Sequence, residues 1–287
     1  MKKHMLGYFL AFITITIWSS TFVVTKLILD YLTPVQVLVS RSLIAVVFLF
    51  ILYPKIKRDF KWKSEILFML SGFALALYFI FENNSLKLTY PSNVGLLVAT
   101  SPLFTAIIVS FVEKKSLLIP KNIFGFLLAF IGISLVVFGK SGIEGFQPLG
   151  DFLAIAAALM FSVYTVILNT VKDKFHIIQK TRKVFIYTFL LIIIYSLSFN
   201  QSIIWDDINI KIVLGILFLA IIASSFAFLL WNKSISILGT FKTNLFIYLV
   251  PVVTMIISYI VLNDEITLTK SIGAIIIIIG LYISERE

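Results

Sequence analysis

The chain of 287 residues contains no cysteine and only two histidines, and few of its residues are charged. Without cysteine, it can form neither a disulfide framework nor a cysteine-based metal or redox site. His4 and His176 both fall in polar segments, so we expect no metal site built from histidine. Charged residues make up 13% of the chain and hydrophobic residues 60%, which is outside the range of soluble globular proteins.

Long apolar stretches account for most of the chain. A membrane-spanning helix needs roughly 20 mostly apolar residues. The first stretch follows Lys2 and Lys3, as in a signal peptide, but it is too long and has no small-residue cleavage site, so we interpret it as a retained helix. The sequence predicts an all-α integral membrane protein with ten transmembrane helices, at 5–27, 35–53, 66–86, 92–112, 121–139, 149–169, 183–199, 211–231, 240–261 and 269–284.

Basic residues are distributed unevenly between the connecting segments. The net charge is +10, and with a cytoplasmic N-terminus most of the 24 lysine and arginine residues fall on the cytoplasmic side. The positive-inside rule therefore predicts that both termini are cytoplasmic. We interpret the basic loops as topology signals and lipid contacts, and not as a nucleic-acid surface. The expected location is the bacterial cytoplasmic (inner) membrane, with the chain as a monomer or a weak homodimer.

The sequence also repeats itself. An offset of 143 residues relates Gly7 to Gly150, and an offset of 149 relates the later parts of the two halves. The first repeat spans 1–143 and the second 144–287. Each repeat contains five apolar stretches, an odd number, so the two repeats are predicted to enter the membrane from opposite sides. Inverted repeats of this kind build many secondary transporters, whose substrate site lies near the middle of the membrane.

Several short motifs stand out along the apolar stretches. Residues 18–26 read WSSTFVVTK, Pro34 directly precedes the second stretch and Arg41 lies within it, and residues 102–105 read PLFT. These motifs resemble those of the EamA family, which belongs to the drug/metabolite transporter superfamily. Its first helix has the pattern W-G-S-x-F-x-x-x-K, in which Ser19 replaces the glycine; its second helix has a proline and a later arginine, and a P-x-F-T stretch follows. The resemblance covers essentially the whole chain. It implies a ten-helix bundle that moves small metabolites, often as an exporter, without ATP hydrolysis.

Polar and aromatic residues recur at helical spacing within the apolar stretches. Because polar groups that face lipid are costly, such stripes are expected to face the interior of the bundle. An aromatic cavity with a few hydroxyl and amide groups suits an amphipathic metabolite. Alternatively, the hydroxyls serve helix packing and the aromatic rings anchor helices at the membrane interface. The candidate substrate-binding residues are Trp18, Thr21, Tyr78, Asn83, Asn93, Ser101, Tyr164, Trp231 and Tyr248.

Three charged residues lie in the outer halves of predicted helices. At 1.5 Å per residue, Arg41 lies about 9 Å and Glu82 about 6 Å below the outer ends of their helices. Lys26 ends the first helix at a similar level. Three roles stay open for a cluster of these residues. It would act as an outward gate, or Arg41 would bind a substrate carboxylate. Alternatively, a static ion pair would hold the helices together. Glu82 is the candidate for proton coupling, because intramembrane carboxylates commonly mark proton paths.

Paired prolines and glycines mark two further features. Pro102 and Pro251 are related by the repeat and lie within predicted helices, which they are expected to kink. Such paired interruptions point to a transporter site. Gly125 and Gly132 and their counterparts in the second repeat lie seven residues apart on the fifth and tenth helices. We expect these two helices to pack closely, because small residues allow the backbones to approach.

These features predict a secondary transporter that moves small metabolites, amino acids or related compounds above all, by alternating access and in the direction of export. A flippase or carrier for a lipid-linked or amphipathic, drug-like substrate would use the same scaffold and stays open as an alternative. An integral-membrane enzyme is disfavoured, because the apolar stretches carry no recognisable catalytic motif. The expected partners are a small-molecule substrate, the lipid bilayer and protons as a coupling ion; no cofactor and no metal is expected.

Overall fold

The computed structural model of the chain describes residues 2–55, 61–89, 91–114, 117–138, 147–171, 175–198, 209–262 and 266–285. Within these ranges all regular secondary structure is helical. The predicted boundary between the repeats, after residue 143, lies outside the described residues, as do the predicted helix ends at 139 and 199.

The helices follow one another along the chain as long segments with short connections. They are α1 (Lys2–Leu29), α2 (Pro34–Leu52), α3 (Trp62–Leu88), α4 (Pro91–Val98), α5 (Ser101–Glu113), α6 (Pro120–Phe138), α7 (Pro148–Asn169), α8 (Ile177–Ser198), α9 (Ile210–Leu217), a π-helical segment (Phe218–Phe226), α10 (Ala227–Leu238), α11 (Thr240–Leu245), a 3₁₀ segment (Phe246–Leu249), α12 (Val250–Leu262) and α13 (Leu268–Glu285).

Seven helices in the described part of the chain are long and apolar enough to cross a membrane. They are Lys3–Leu29, Pro34–Leu52, Trp62–Leu88, Val94–Val112, Pro148–Asn169, Ile210–Leu238 and Thr240–Ile257. Shorter apolar helices cover Pro120–Leu135 and Leu268–Ser284. The chain is therefore a multi-pass, all-helical membrane protein, and ten spans with cytoplasmic termini stay a prediction.

Pro102 and Pro251, the two prolines predicted to kink helices, each follow an interruption of the α-helix. Pro102 lies in the first turn of α5, directly after the break that separates α5 from α4. Pro251 lies in the first turn of α12, directly after the 3₁₀ segment. Since proline cannot donate a backbone hydrogen bond, a break on its N-terminal side removes the need for one. A third irregularity is the π-helical segment, whose wider turn is typical of functional sites.

Helices α6 and α13 pack against each other through glycine. A Cβ added to Gly132 would lie 2.7 Å from the carbonyl oxygen of Gly273, and one added to Gly280 would lie 2.7 Å from the carbonyl oxygen of Gly125. A Cβ at this distance would overlap the backbone oxygen, so neither position has room for a side chain. The close packing expected of the glycine-bearing helices is observed, and the four glycines contact each other in repeat-related pairs.

Two hydrogen bonds join the halves of the chain in the same way. Ser85 Oγ near the end of α3 donates to the carbonyl oxygen of Gly150 at 2.7 Å. Ser234 Oγ near the end of α10 donates to the carbonyl oxygen of Gly7 at 2.9 Å. The offsets found in the sequence relate Ser85 to Ser234 and Gly7 to Gly150. One interaction thus occurs twice, with the halves exchanged.

The start of α8 is tied to the end of α2. The Arg182 guanidinium donates to the carbonyl oxygens of Tyr53 and Lys55, the second at 3.0 Å, and lies 4.2 Å from the centre of the Phe50 ring. Gln179 Nε2 donates to the same Lys55 oxygen at 3.0 Å. These bonds satisfy carbonyls that follow a helix C-terminus. The start of α8 and the end of α2 therefore share one end of the bundle.

Candidate functional site

A small cavity lies between α1, α2, α3, α7 and α10, and the end of α4, the 3₁₀ segment and the start of α12 complete its wall. We call it the central cavity. Its volume is about 30 Å³, which is room for one or two water molecules. Most of its wall is apolar and aromatic, with two charged groups. The lining residues are Trp18, Thr21, Phe22, Arg41, Tyr78, Phe79, Glu82, Val98, Phe161, Phe228, Ile247 and Val250.

Arg41 enters this cavity from α2 with its side chain almost fully buried, at 4% exposure. Its Nε donates to Ser224 Oγ at 3.0 Å, and its guanidinium lies 4.4 Å from the centre of the Phe79 ring, a favourable cation–π distance. Ser224 belongs to the π-helical segment. The terminal nitrogens of Arg41 make no hydrogen bond to the described residues, so two pairs of N–H donors are available.

Glu82 enters the same cavity from α3 and is 6% exposed. Tyr78, one turn earlier, donates from Oη to Glu82 Oε1 at 2.6 Å. Within the described ranges, no direct ion pair joins Glu82 to Arg41, although both side chains line the cavity. The second carboxylate oxygen makes no hydrogen bond to a described residue. The cavity thus presents a free acceptor and free donors of opposite charge.

Lys26 lies apart from these two groups. Its Nζ donates to the carbonyl oxygen of Leu86 at 3.3 Å, near the end of α3. A cation is favourable at a helix C-terminus, where carbonyl groups lack intrahelical partners. Lys26 therefore contacts the end of α3, and the structure brings together only Arg41 and Glu82 of the three predicted charges.

An aromatic layer borders the central cavity. The Trp18 ring lies 5.5 Å from the Phe161 ring, 5.0 Å from the Phe228 ring and 5.0 Å from the Trp231 ring, measured between centroids. Its indole nitrogen donates to the carbonyl oxygen of Ala223 in the π-helical segment at 3.2 Å. Aromatic pairs at tilted and edge-to-face angles are favourable at such distances. The layer holds Trp18 against α7 and α10.

A polar network lies next to the aromatic layer. Tyr164 Oη donates to Asn232 Oδ1 at 3.0 Å, and Asn232 Nδ2 donates to Thr181 Oγ1 at 3.0 Å. The chain of bonds connects α7, α10 and α8. Trp231, adjacent to Asn232, is fully buried, and its Nε1 has no partner among the described residues. A buried donor without a partner is costly, which marks this region as one that can accept a further polar group.

A second cavity of about 350 Å³ opens beyond this network. It lies between the end of α7, the start of α8 and the end of α10, and so at the end of the bundle that contains Lys55 and Gly7. We call it the second cavity. Its lining residues are Thr165, Leu168, Asn169, Phe175, His176, Ile177, Lys180, Asn232, Lys233, Ile235 and Ser236.

The remaining sequence candidates whose side chains the structure describes do not line the central cavity. Asn83 donates from Nδ2 to the Phe79 carbonyl at 2.9 Å, and the Ser101 carbonyl accepts a bond from Ser162. Tyr248 packs in a separate apolar cluster, 6.4 Å from the Phe126 ring. The side chain of Asn93 lies outside the part of the chain whose side chains the structure describes. Tyr164 and Trp231 stand one layer behind the cavity wall.

The candidate residues omit seven that line the central cavity and also Ser224, which holds Arg41. The omitted lining residues are Phe22, Phe79, Val98, Phe161, Phe228, Ile247 and Val250. The offset of 143 relates Trp18 to Phe161 and so indicates Phe161 on the corresponding face of the second repeat. No local pattern indicates the π-helical turn that presents Ser224.

Comparison with known proteins adds a family and a fold. A model of the EamA-like transporter family matches residues 5–138 and again 148–285. The "Uncharacterized transporter YyaM" of Bacillus subtilis is 32% identical over 91% of this chain and 88% of its own length. The "Probable amino-acid metabolite efflux pump" of Salmonella typhimurium is 24% identical over 96% of this chain and 93% of its own. A protein with a known crystal structure superposes with a TM-score of 0.78 at 19% identity, over 99% and 98% of the two chains.

Proposed function

The chain belongs to the EamA-like transporter family, and from this premise we propose that it is a secondary transporter that exports amino acids or related small metabolites across the bacterial cytoplasmic membrane by alternating access. The chain is a membrane transporter, as its family and its relatives are. The relative from Salmonella typhimurium is named for amino-acid metabolites and efflux, which supports this substrate class and direction.

The proposed architecture is two inverted five-helix repeats, 1–143 and 144–287, with both termini in the cytoplasm. The family model matches each half. The exchanged hydrogen bonds of Ser85 and Ser234 support a twofold relation, as do the reciprocal glycine contacts of α6 and α13. A substrate site between such repeats would lie at the central cavity. Monomers or weak homodimers are compatible with this architecture.

One observation carries the substrate proposal: Arg41 and Glu82 border one aromatic-walled cavity with free groups of opposite charge. A zwitterion such as an amino acid has a carboxylate for the planar guanidinium and an ammonium group for the Glu82 carboxylate. Trp18 and Phe161 would contact the side chain of the cargo. Apolar walls would supply affinity, and the charged pair would fix the orientation.

The central cavity is smaller than any amino acid would need. Its volume of about 30 Å³ is far below the roughly 300 Å³ at which ligand pockets begin. We assign this structure to a closed form, in which the aromatic layer fills the space. Movement of Trp18 away from Phe161 and Trp231 would enlarge the cavity. The helix interruptions before Pro102 and Pro251 supply places at which α5 and α12 can turn.

Counterflow tests the transport proposal. Purified protein in proteoliposomes, loaded with unlabelled amino acids, is expected to accumulate labelled amino acids of one chemical class, whereas protein-free liposomes accumulate none. Lack of accumulation by a folded, monodisperse preparation would overturn the amino-acid proposal. Accumulation or flipping of a lipid-linked or drug-like probe would then favour the flippase alternative.

Glu82 is the proposed proton-coupling group. We expect Glu82→Gln to abolish transport driven by a pH gradient, because an amide cannot carry a proton between the two faces. Counterflow without a gradient is expected to persist with a higher half-saturating cargo concentration, because the amide no longer pairs with the cargo's ammonium group. The groups around this carboxylate are Tyr78, which donates to it, and Arg41, across the cavity. Gradient-driven uptake and counterflow of the same cargo give the two rates.

Asp30→Asn is the matched control, because Asp30 is exposed at the end of α1 and loses the same charge. It is expected to leave both rates unchanged. If Glu82→Gln responds to the pH gradient as the unaltered chain does, Glu82 does not couple protons.

A further inference from the structure

The second cavity has no role in the transport site described above, yet it is the larger of the two. We propose that it is an entry site that binds the carboxylate of the cargo at the cytoplasmic face, before the cargo reaches Arg41 and Glu82. The inference rests on the proposed transport function and adds a second binding site to it.

The charge of the second cavity favours an anion. Lys180 and Lys233 line it, and none of its described lining residues is acidic. Lys180 Nζ donates to the carbonyl oxygen of Val171 at 2.8 Å, which holds the ammonium group at the wall. Lys233 is exposed, and its Nζ makes no hydrogen bond to a described residue. A carboxylate that enters the cavity would gain a charge-assisted hydrogen bond there.

The size and the other walls favour an amphipathic small molecule. A volume of about 350 Å³ lies within the range of ligand pockets. Leu168, Phe175 and Ile235 offer apolar surface, while Asn169 and Ser236 offer hydrogen bonds. A small cargo with one apolar side chain and one carboxylate fits this combination of groups.

The position of the second cavity connects it to the central cavity. On α7, Phe161 lines the central cavity and Thr165 lines the second cavity. On α10, Phe228 lines the central cavity and Asn232 lines the second cavity. Each pair is four residues apart, or about 6 Å along the helix. The two cavities are thus separated by one helical turn on two different helices.

The wall between the cavities consists of groups that can exchange partners. Tyr164 and Trp231 lie in the intervening turn, and the Tyr164 hydroxyl bonds to Asn232. Asn232 itself lines the second cavity, so a bound cargo can compete for its amide. Release of Tyr164 would let the aromatic layer move and join the cavities. A carboxylate bound first at Lys233 would then have Arg41 as its next partner.

The absence of cysteine allows a direct test with a single introduced thiol. Ser236→Cys places a thiol on the exposed rim of the second cavity. The full-length variant, in phosphatidylcholine nanodiscs, reacts with a membrane-impermeant maleimide in the presence of phenylacetate or of phenethylamine, which are similar in size and opposite in charge. Phenylacetate is expected to slow the labelling, and phenethylamine is expected to leave it unchanged. Equal effects of the two probes would overturn the proposal.

Lys233→Gln in the same variant tests the charge that we assign. The concentration of phenylacetate that gives half-protection is expected to rise about fivefold, the upper end for one charge pair near a surface. Lys63→Gln is the matched control, because Lys63 is exposed at the start of α3 and does not line the cavity. If both substitutions change the protection equally, the effect is a general surface charge and the assigned site is wrong.

An anionic lipid headgroup shares the chemistry of a soluble carboxylate, so the lipid must be varied. If phosphatidylglycerol in the nanodisc slows labelling and phenylacetate has no effect in phosphatidylcholine, the occupant is a lipid and the cargo-site proposal fails. Failure of counterflow with intact protection by phenylacetate would overturn the amino-acid function and keep the anion site. Intact counterflow without protection would overturn the site alone.

Discussion

Arg41→Gln is expected to abolish transport and to lower the free energy of unfolding by about 3 kcal/mol, the cost of leaving a buried charge without its counterion. Arg41 and Glu82 are both almost fully buried at one cavity. Removal of the guanidinium leaves the Glu82 carboxylate as the only charge among the described residues of the cavity wall. Loss of the cation also removes the proposed partner of the cargo's carboxylate. Counterflow and thermal unfolding of the purified variant measure the two effects.

A double variant separates folding from transport. Arg41→Gln combined with Glu82→Gln has no uncompensated charge, so most of the lost stability is expected to return while transport stays absent. Arg41→Lys keeps the charge and loses the planar fork, so we expect near-native stability with weaker cargo binding. Transport by the double variant at the native rate would show that the pair is only structural and would remove the proposed substrate contact.

Gly280→Ala is expected to lower the free energy of unfolding by about 2 kcal/mol, within the range for overpacking of a tight contact. Its Cβ would lie 2.7 Å from the backbone nitrogen of Ala129 and 2.7 Å from the carbonyl oxygen of Gly125. Backbone atoms cannot rotate away, so α6 and α13 must separate. Gly280→Leu is expected to prevent isolation of monodisperse protein. Intrinsic tryptophan fluorescence during heating reports the unfolding.

Gly95→Ala is the matched control for this substitution. Gly95 lies in α4, and an added Cβ meets nothing within 4 Å. The alanine is expected to be neutral or to stabilise the helix by up to about 1 kcal/mol, because glycine is a poor helix former. If Gly280→Ala is as stable as Gly95→Ala, the close approach of α6 and α13 does not contribute to the fold.

The placement of Tyr248 shows where sequence periodicity stops being informative. Helical spacing groups it with other polar residues of its helix, but the structure has a 3₁₀ segment at Phe246–Leu249. A 3₁₀ helix has three residues per turn and not 3.6, so the faces shift. Ile247 and Val250 consequently line the central cavity, and Tyr248 packs against Phe126.

Asn83 shows a second limit of assigning helix faces from sequence periodicity. It follows Glu82 directly, and neighbouring residues on a helix point about 100° apart. Glu82 lines the cavity, and the Asn83 amide bonds to the carbonyl of its own helix. A polar residue next to a cavity residue need not line the cavity itself: Thr21, next to Phe22, does and Asn83, next to Glu82, does not. Only the packing of other helices against the helix that carries them decides this.

The sequence by itself determined the class of the protein, its family and the residues Trp18, Tyr78, Arg41 and Glu82 as candidates. Apolar length, helical spacing and short motifs are local properties, so one chain read in order is enough to detect them. The internal offsets also indicated the glycine contacts of α6 and α13, because repeated segments make repeated contacts.

Only the tertiary structure decided how these residues meet. It places Arg41 on Ser224 of a π-helical turn, leaves Arg41 and Glu82 on one cavity without a direct bond, and moves Lys26 to the end of α3. It also opens the second cavity between α7, α8 and α10. Each of these features depends on distances between helices far apart in the sequence, and a local pattern contains no information on such distances.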